Sequence, residues 1–446
     1  MRKLFILALL PLSAYAQTLL ECQEAAERNY PLIRQYDLIE KTTRLTVANI
    51  GRGWLPQVSA AAQATVQSDV TSWPEEIRSL YRQMGLDMKG LSKDQYRVGI
   101  DVSQMVYDGG SIRSQQEVER RQGEVEAAQT EVALYQVRRR VNEMYFALLL
   151  LDEQIRLNAD LQELLSGNEK KLATMFRQGT AAESDYLSMK AERLKVVQQA
   201  TDLQSQRRML GMMLGTFCGI EVTSPEKPES PALPLPEGGE VVGRGPSPSL
   251  GRAGAGLWDK TSGSLRPEMK AIDARLRLAD ARERSLNAAL RPRVGVFAQG
   301  FYGYPGLNMF EDMMQRDWSW NAVVGARLSW NIGALYTRRN DKAKIQLQRD
   351  MAETSRDVFL FDNSLEQIQQ NENIARYRRL MADDEEIISL HSSVRKAAES
   401  KLEHGIIDVN DLLREINAEN NAQVQQSIHE IEMLKEIYNL KFTTNN

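Results

Sequence analysis

The side chains most often used in catalysis and metal binding are few in this chain and are not grouped. Each of the three histidines lacks a cysteine or a second histidine at metal-ligand spacing; they are His391, His404 and His429. The acidic run at residues 383–386 lies within a helical pattern, so we interpret it as a solvated face and not as paired catalytic carboxylates. No nucleophile signature accompanies these residues. The sequence therefore argues against an enzyme and predicts neither a metal nor another cofactor.

The first residues have the layout of a secretory signal peptide. A basic start at Arg2 and Lys3 precedes the apolar stretch Leu4–Leu12, and an Ala-x-Ala cleavage site ends at Ala16. We expect residues 1–16 to be removed on export. After them, no apolar run of about 18 residues remains, so no transmembrane helix is predicted.

The composition indicates long helices with charged surfaces. The net charge is only −4 and both signs are mixed along the chain, so binding to nucleic acid is not predicted. Aromatic residues make up 7% of the chain, which favours long solvated helices over a large globular core. Export would place the two cysteines, Cys22 and Cys218, in an oxidising compartment. A disulfide is one interpretation of this pair, and two buried thiols are the other.

Apolar periodicity predicts two very long helices. In the first half of the chain, apolar residues alternate steps of three and four as in a coiled-coil seam: Leu134, Val137, Val141, Met144, Leu148, Leu151 and Ile155. The second half shows the same rhythm at Val358, Phe361, Leu365 and Ile368. A helix of about 65 residues would extend roughly 100 Å, so it needs a partner along its length. Return helices after glycine turns near residues 179 and 405 predict two antiparallel coiled-coil hairpins.

Alternating residues predict four strands, at about 57–68, 96–107, 292–304 and 318–331. The last has the clearest pattern, since apolar residues on one face are bounded by tryptophan at both ends: Trp318, Trp320 and Trp330. This pattern is typical of a lipid-facing strand in a transmembrane β-barrel with aromatic girdles. Because about eight strands are the practical minimum for a barrel, four strands would require identical neighbouring subunits.

The same order of elements occurs twice along the chain. This order predicts two internal structural repeats, at residues 17–220 and 265–446. Residues 221–264 lie between them and are rich in proline, glycine and serine, so we expect a linker or an irregular insertion there.

These motifs, in this duplicated order, resemble the TolC family of outer-membrane efflux proteins over essentially the whole mature length. The matching positions near the strands are Leu55-Pro56, Val98-Gly99, Gly109-Gly110, Val324-Gly325 and Ile332-Gly333. The predicted tips match as well, with Phe176 to Thr180 followed by Asp185 and Leu187, and Gly405 followed at the same spacings by Asp411 and Leu413. Each motif alone is weakly specific, whereas the repeated series is strongly specific.

The resemblance implies a homotrimer whose subunits each contribute four strands to a twelve-stranded barrel. The helices would form a tunnel across the periplasm, and the insertion at 221–264 would lie in an equatorial collar. The resemblance places the protein in the outer membrane of a Gram-negative bacterium, in contact with membrane lipid. A periplasmic adaptor protein and an inner-membrane transporter are the implied partners, and the residues that would meet the adaptor are Gly179, Thr180 and Gly405.

The resemblance also implies a narrow end ringed by acidic residues of the inner hairpin. Asp411 matches one family aspartate, but Arg414 stands where a second acidic residue is expected, and Asp408 is a candidate to restore part of the ring. An acidic ring favours cations. The alternative for Asp411 and Asp408 is ordinary solvated charge beside a turn.

The predicted function is therefore an exit duct that carries small molecules or polypeptides out of the cell as part of a tripartite efflux or secretion system. The alternative is an exported periplasmic coiled-coil scaffold or adaptor that has no barrel. That alternative leaves the tryptophan-bounded alternation of residues 318–330 unexplained.

Overall fold

A computed structural model describes residues 18–86, 89–222, 225–229 and 266–445. The predicted signal peptide lies outside these residues, as does most of the predicted insertion at 221–264.

Nine helices occur within the described ranges. They are α1 (Leu19–Asn29), α2 (Arg34–Gly51), α3 (Glu75–Gln83), α4 (Ser111–Arg177), α5 (Glu183–Cys218), α6 (Pro267–Ala289), α7 (Met309–Gln315), α8 (Ala334–Glu403) and α9 (Val409–Thr444). Two short 3₁₀ turns, Pro31–Ile33 and Arg52–Trp54, follow α1 and α2. The two longest helices, α4 and α8, have 67 and 70 residues, and no proline interrupts either one. None of the helices in the described ranges combines the length and the apolar composition needed to cross a membrane.

The strands form one antiparallel sheet in the order β1-β2-β3-β4. Their bounds are β1 (Gln57–Val66), β2 (Asp94–Tyr107), β3 (Arg293–Tyr304) and β4 (Ser319–Ser329). The pairing of β2 with β3 joins the two halves of the chain, for example where Ile100 lies opposite Gly300. The predicted fold class, a mainly helical chain with four strands, is confirmed.

The chain divides into two compact units. The first takes the described residues of 1–36, 128–271 and 355–446, and the second takes those of 37–127 and 272–354. The first unit contains the hairpin turns, while the second contains the whole sheet.

The core of the first unit follows the predicted seam of α4. Val137, Val141 and Leu148 are fully or almost fully buried, and they belong to one cluster with residues of α1, α5 and α9. A second cluster joins the turn-proximal parts of α4, α5, α8 and α9; its most buried members are Leu165, Met189, Val409, Leu412 and Ile416. Burial of each such side chain stabilises the fold by about 1.5–3 kcal/mol.

The predicted apolar stripe of α8 is not a buried seam within the chain. Val358, Leu365 and Ile368 are about half exposed or more, with Ile368 at 64%. The reason is that α9 packs on another face of α8, where Ile374 is buried against Ile437 and Leu440.

Candidate functional site

The sheet has one exposed apolar face with aromatic residues near its ends. Along β4, the exposed fractions of Trp320, Val324 and Leu328 are 82%, 80% and 70%. Just before β4, the ring of Trp318 lies 5.3 Å from the ring of Tyr302. Just after β4, the Trp330 Nε1 hydrogen is donated to the Leu290 carbonyl at 3.0 Å. The predicted girdle tryptophans thus lie at both ends of the strand.

The opposite face carries two phenylalanine–glycine pairs that the sequence reasoning missed. Gly99 lies directly opposite Phe301, and Gly325 lies directly opposite Phe297. A Cβ atom at either glycine would come within 2.8 Å of its phenylalanine, and at Gly99 it would also come within 2.8 Å of the Gly300 carbonyl oxygen, so the backbone itself favours glycine at that position. A guanidinium carbon stands 3.9 Å and 4.9 Å from the centroids of the two rings. The two cations, over Phe301 and Phe297 in that order, are Arg97 and Arg327.

Both predicted tips are helix ends closed by a glycine in the left-handed region. The backbone φ is 74° at Gly179 and 67° at Gly405. In each turn, the amide after the glycine donates to a carbonyl in the last turn of the preceding helix at 2.9 Å. The donor and acceptor are Thr180 and Met175 in the first tip, and Ile406 and Lys401 in the second.

The three constriction candidates lie together at the start of α9, but their charges are already engaged. The Asp408 carboxylate accepts a hydrogen bond from the Asp411 amide at 2.9 Å and so caps the helix. The Asp411 carboxylate forms an ion pair with Arg414 at 3.2 Å, and Arg414 also approaches Glu415 at 3.4 Å. Asp411 is thus matched by a cation of the same helix.

A groove of about 540 Å³ lies beside the tips, between α4 and the helices α8 and α9. Its apolar lining comprises Leu172, Met175, Leu402 and Leu412. Its charged lining comprises Lys170, Lys171, Glu399 and Glu403. The Lys171 ammonium approaches the Glu403 carboxylate at 3.3 Å and links the two hairpins across this groove.

Each hairpin is also crossed by an ion pair that the sequence reasoning missed. Arg193 pairs with Glu169 in the first hairpin, and Arg395 pairs with Glu419 in the second. Burial alone would lower the pKa of Arg395, but Glu419 and Glu399 outweigh this effect and raise that pKa, so the guanidinium stays charged. The sequence did contain a signal for these pairs, because in both hairpins two opposite charges lie at the same sequence distances before and after the tip glycine.

The prediction of a solvated face for the acidic run is confirmed at Asp383, Glu385 and Glu386, which are exposed, and is wrong at Asp384. Asp384 is only 6% exposed, and its carboxylate lies 2.8 Å from Nδ1 of His429 on α9. The run of charges suggested a solvated face, but the packing of α9 over Asp384 cannot be read from the local pattern. Among the described residues, no group of three or more histidine, cysteine or acidic side chains is placed to hold a metal ion.

The two predicted disulfide partners meet between α1 and α5. Cys22 and Cys218 are both buried and both free thiols. The Cys218 thiol donates a hydrogen bond to the Cys22 carbonyl oxygen at 3.4 Å. Contact between the two thiols also raises the pKa of Cys22 and lowers that of Cys218.

No protein-family model and no curated protein sequence matches the chain. Solved structures do. The outer-membrane channel OprN has a TM-score of 0.66 at 16% identity, with coverage of 96% of this chain and 89% of that one. VceC, an outer-membrane protein of Vibrio cholerae, has a TM-score of 0.64 at 13% identity, with 96% of both chains covered. The CmeC outer-membrane channel of Campylobacter jejuni also has a TM-score of 0.64 at 13% identity, with 96% and 85% covered. The chain is similar to these channels in fold.

Proposed function

Because the chain has the fold of TolC-family outer-membrane efflux channels, we propose that it is an exit-duct subunit in the outer membrane of a Gram-negative bacterium. Three subunits would close one barrel in the membrane, and the helices would extend into the periplasm. An adaptor protein and an inner-membrane transporter would deliver small molecules or polypeptides to the periplasmic end.

The exposed apolar face of the sheet carries this proposal. Apolar surface costs about 25 cal/mol per Å² when it is left in water, so Val324 and Leu328 favour a lipid environment. Trp318 and Trp330, near the two ends of β4, suit the two interfaces of a bilayer. The opposite face, with Arg97 and Arg327, would then line the aqueous lumen.

Two observations support assembly from identical subunits. A four-stranded sheet leaves the edges of β1 and β4 without a partner among the described strands, and neighbouring copies would pair with them. The exposed stripe of α8 with Val358, Leu365 and Ile368 offers a long apolar surface for a second copy.

The hairpin tips suit the docking of a helical partner. The groove beside them combines an apolar floor with charges of both signs, which is the usual composition of a helix-binding surface. We propose that the adaptor binds this groove together with the turns at Gly179-Thr180 and Gly405. Binding that favours a more open arrangement of the tips would shift a two-state equilibrium towards the open channel.

Fractionation of cell envelopes tests the proposal. The protein should enter the outer-membrane fraction, resist a carbonate wash, and run unboiled on SDS gels near three times the subunit mass. Boiling should release the monomer. A monomer washed free by carbonate would instead support the exported periplasmic scaffold.

The lipid-facing strand provides a matched test. Val324→Arg places a charge in the middle of the exposed face and should reduce membrane assembly, since a midplane cation costs about 2–4 kcal/mol. Val323→Arg, at the preceding residue, places the same charge on the other face and should assemble normally. Equal behaviour of the two variants would contradict a lipid-facing sheet.

A further inference from the structure

The two cysteines of the chain meet in the core of the first unit. Cys22 lies on α1 and is 0% exposed, whereas Cys218 is the last residue of α5 and is 3% exposed. They are 196 residues apart in sequence, yet the Cys218 thiol donates a hydrogen bond to the Cys22 backbone carbonyl at 3.4 Å. Folding therefore brings together the two thiols of a chain that has no other cysteine.

We propose that Cys22 and Cys218 form a disulfide that fastens α1 to the base of the first hairpin. The proposal rests on the proposed export, because disulfides persist in oxidising compartments. It goes beyond the channel function, which does not require the bond.

Forming the bond requires an oxidant, and a disulfide-containing oxidant of that compartment would supply it by thiol–disulfide exchange. One of the two cysteine thiolates attacks the oxidant's disulfide and forms a mixed disulfide, and one oxidant thiolate leaves. The other cysteine thiolate then attacks the protein sulfur of the mixed disulfide, closes the bond and releases the second oxidant thiolate. Two thiol protons are lost, and two electrons reduce the oxidant to a dithiol.

Burial decides when the pair is oxidised. Both sulfurs are covered in the folded unit, so oxidation has to precede the final packing of α1 on α5.

The bond would add to the contacts that already hold α1, whose residues Leu19 and Ala26 are buried in the core cluster. Asn29 donates to the carbonyls of Thr216 and Phe217 at 3.1 Å and 3.2 Å, and Tyr30 stacks on Phe217 at 5.9 Å between ring centroids. An 11-residue helix is marginally stable without tertiary support. A covalent link at Cys22 would keep α1 in place on α5.

Thiol labelling of the full-length protein from the envelope fraction tests the bond. Denatured without reductant, wild type should take up no polyethylene-glycol maleimide on a gel, and after reductant it should take up two. Two labels without reductant would overturn the disulfide and leave the channel proposal intact. Absence of the protein from the envelope would overturn the export on which both proposals rest.

Serine variants and proteolysis complete the test. Cys22→Ser and Cys218→Ser should each show one label without reductant, and the double variant should show none. Wild type treated with reductant should lose its N-terminal helix to limited proteolysis about tenfold faster than untreated protein, because local opening becomes easier. The double variant should be cleaved at this faster rate with or without reductant. Equal cleavage of reduced and oxidised wild type would contradict the fastening role.

Discussion

The two hairpins, α4–α5 and α8–α9, solve the same geometric problem with different residues. Both return helices have 36 residues, and both follow a tip glycine at the same spacing. Both hairpins are crossed by an ion pair whose partners are 24 positions apart in sequence, yet the charges are exchanged. The acid Glu169 is on the outgoing helix in the first hairpin, and the base Arg395 takes that place in the second. The shared requirement is thus a charge pair at that level of the hairpin, whichever helix supplies the acid.

The bases of the hairpins show the same relation. Each return helix ends at a residue in the left-handed region, Gly219 in one and Asn445 in the other. At equivalent positions before that residue, a side chain from outside the hairpin donates to two carbonyls. Asn29 donates to Thr216 and Phe217 in the first hairpin. In the second, Arg266 donates to Phe442 and Thr443.

The largest difference in stability expected between the hairpins is at the ends of their return helices. Arg266 is almost fully buried, pairs with Glu268 at 2.6 Å and lies near three aromatic rings. Arg266→Ala leaves a mostly buried acid without its partner, so we expect a loss of about 4 kcal/mol in the free energy of unfolding. Asn29→Ala removes only neutral hydrogen bonds and should cost about 1 kcal/mol. Chemical unfolding of the detergent-solubilised protein, followed by circular dichroism, measures both losses.

Arg266→Lys is the control for the geometry of this cap. It keeps the charge but cannot hold two carbonyls and a carboxylate with one planar fork, so its loss should fall between the other two. A loss for Arg266→Ala no larger than that for Asn29→Ala would mean that the two bases are equivalent.

The exchanged ion pairs allow each hairpin to be converted to the arrangement of the other. Arg395→Glu places an acid against Glu419 and Glu399, and we expect a loss of about 3 kcal/mol. Adding Glu419→Arg recreates the order of charges found in the first hairpin and should recover about 2 kcal/mol of that loss. Recovery stays incomplete because Glu399 still lies one helical turn from the acid introduced by Arg395→Glu.

The first hairpin provides the matched cycle. Glu169→Arg combined with Arg193→Glu should recover almost all of the single-variant loss, since Ala173 stands where the second hairpin has Glu399. Additive single and double losses in either hairpin would contradict a specific charge pair.

Much of this architecture could be predicted from sequence because its signals are local. The seam at Val137 and Val141 and the alternation from Trp320 to Leu328 depend only on neighbours along the helix or strand. The exposure of Ile368, in contrast, depends on which face of α8 meets α9.

The details of the candidate site were harder to predict, because they depend on residues distant in sequence. The residues next to Asp384 in the sequence do not indicate that His429, 45 residues later, packs over it. The carbonyl of Phe442 at the end of α9 accepts from Arg266, which lies 176 residues earlier in the sequence. The role of Asp408 as a helix cap could have been read locally, since an aspartate just after a glycine turn is a common first residue.

A smaller difference in stability is expected at the N-termini of the return helices. Asp408 caps α9, whereas the equivalent residue of α5 is Ala182, whose side chain makes no capping bond. Asp408→Ala should cost about 1 kcal/mol, and Ala182→Asp should stabilise the first hairpin by a similar or smaller amount. Protection of the first-turn amides from hydrogen exchange measures each effect locally. Loss of protection in both variants would contradict the transferable cap.

The smallest effect on stability is expected at Arg414. Changing this residue should also have a separate effect on conduction. It pairs with Asp411 near the surface, while the first hairpin has Asp185 and Ser188 at the equivalent positions. Arg414→Ser should change the free energy of unfolding by less than about 0.5 kcal/mol, because exposed pairs contribute little. If Asp411 lines the narrow end, freeing its charge should shift the reversal potential in planar bilayers towards cation selectivity. Arg414→Lys keeps the cation and should leave the potential unchanged. An unaltered potential in Arg414→Ser would remove Asp411 from the constriction and leave it as a surface charge beside a turn.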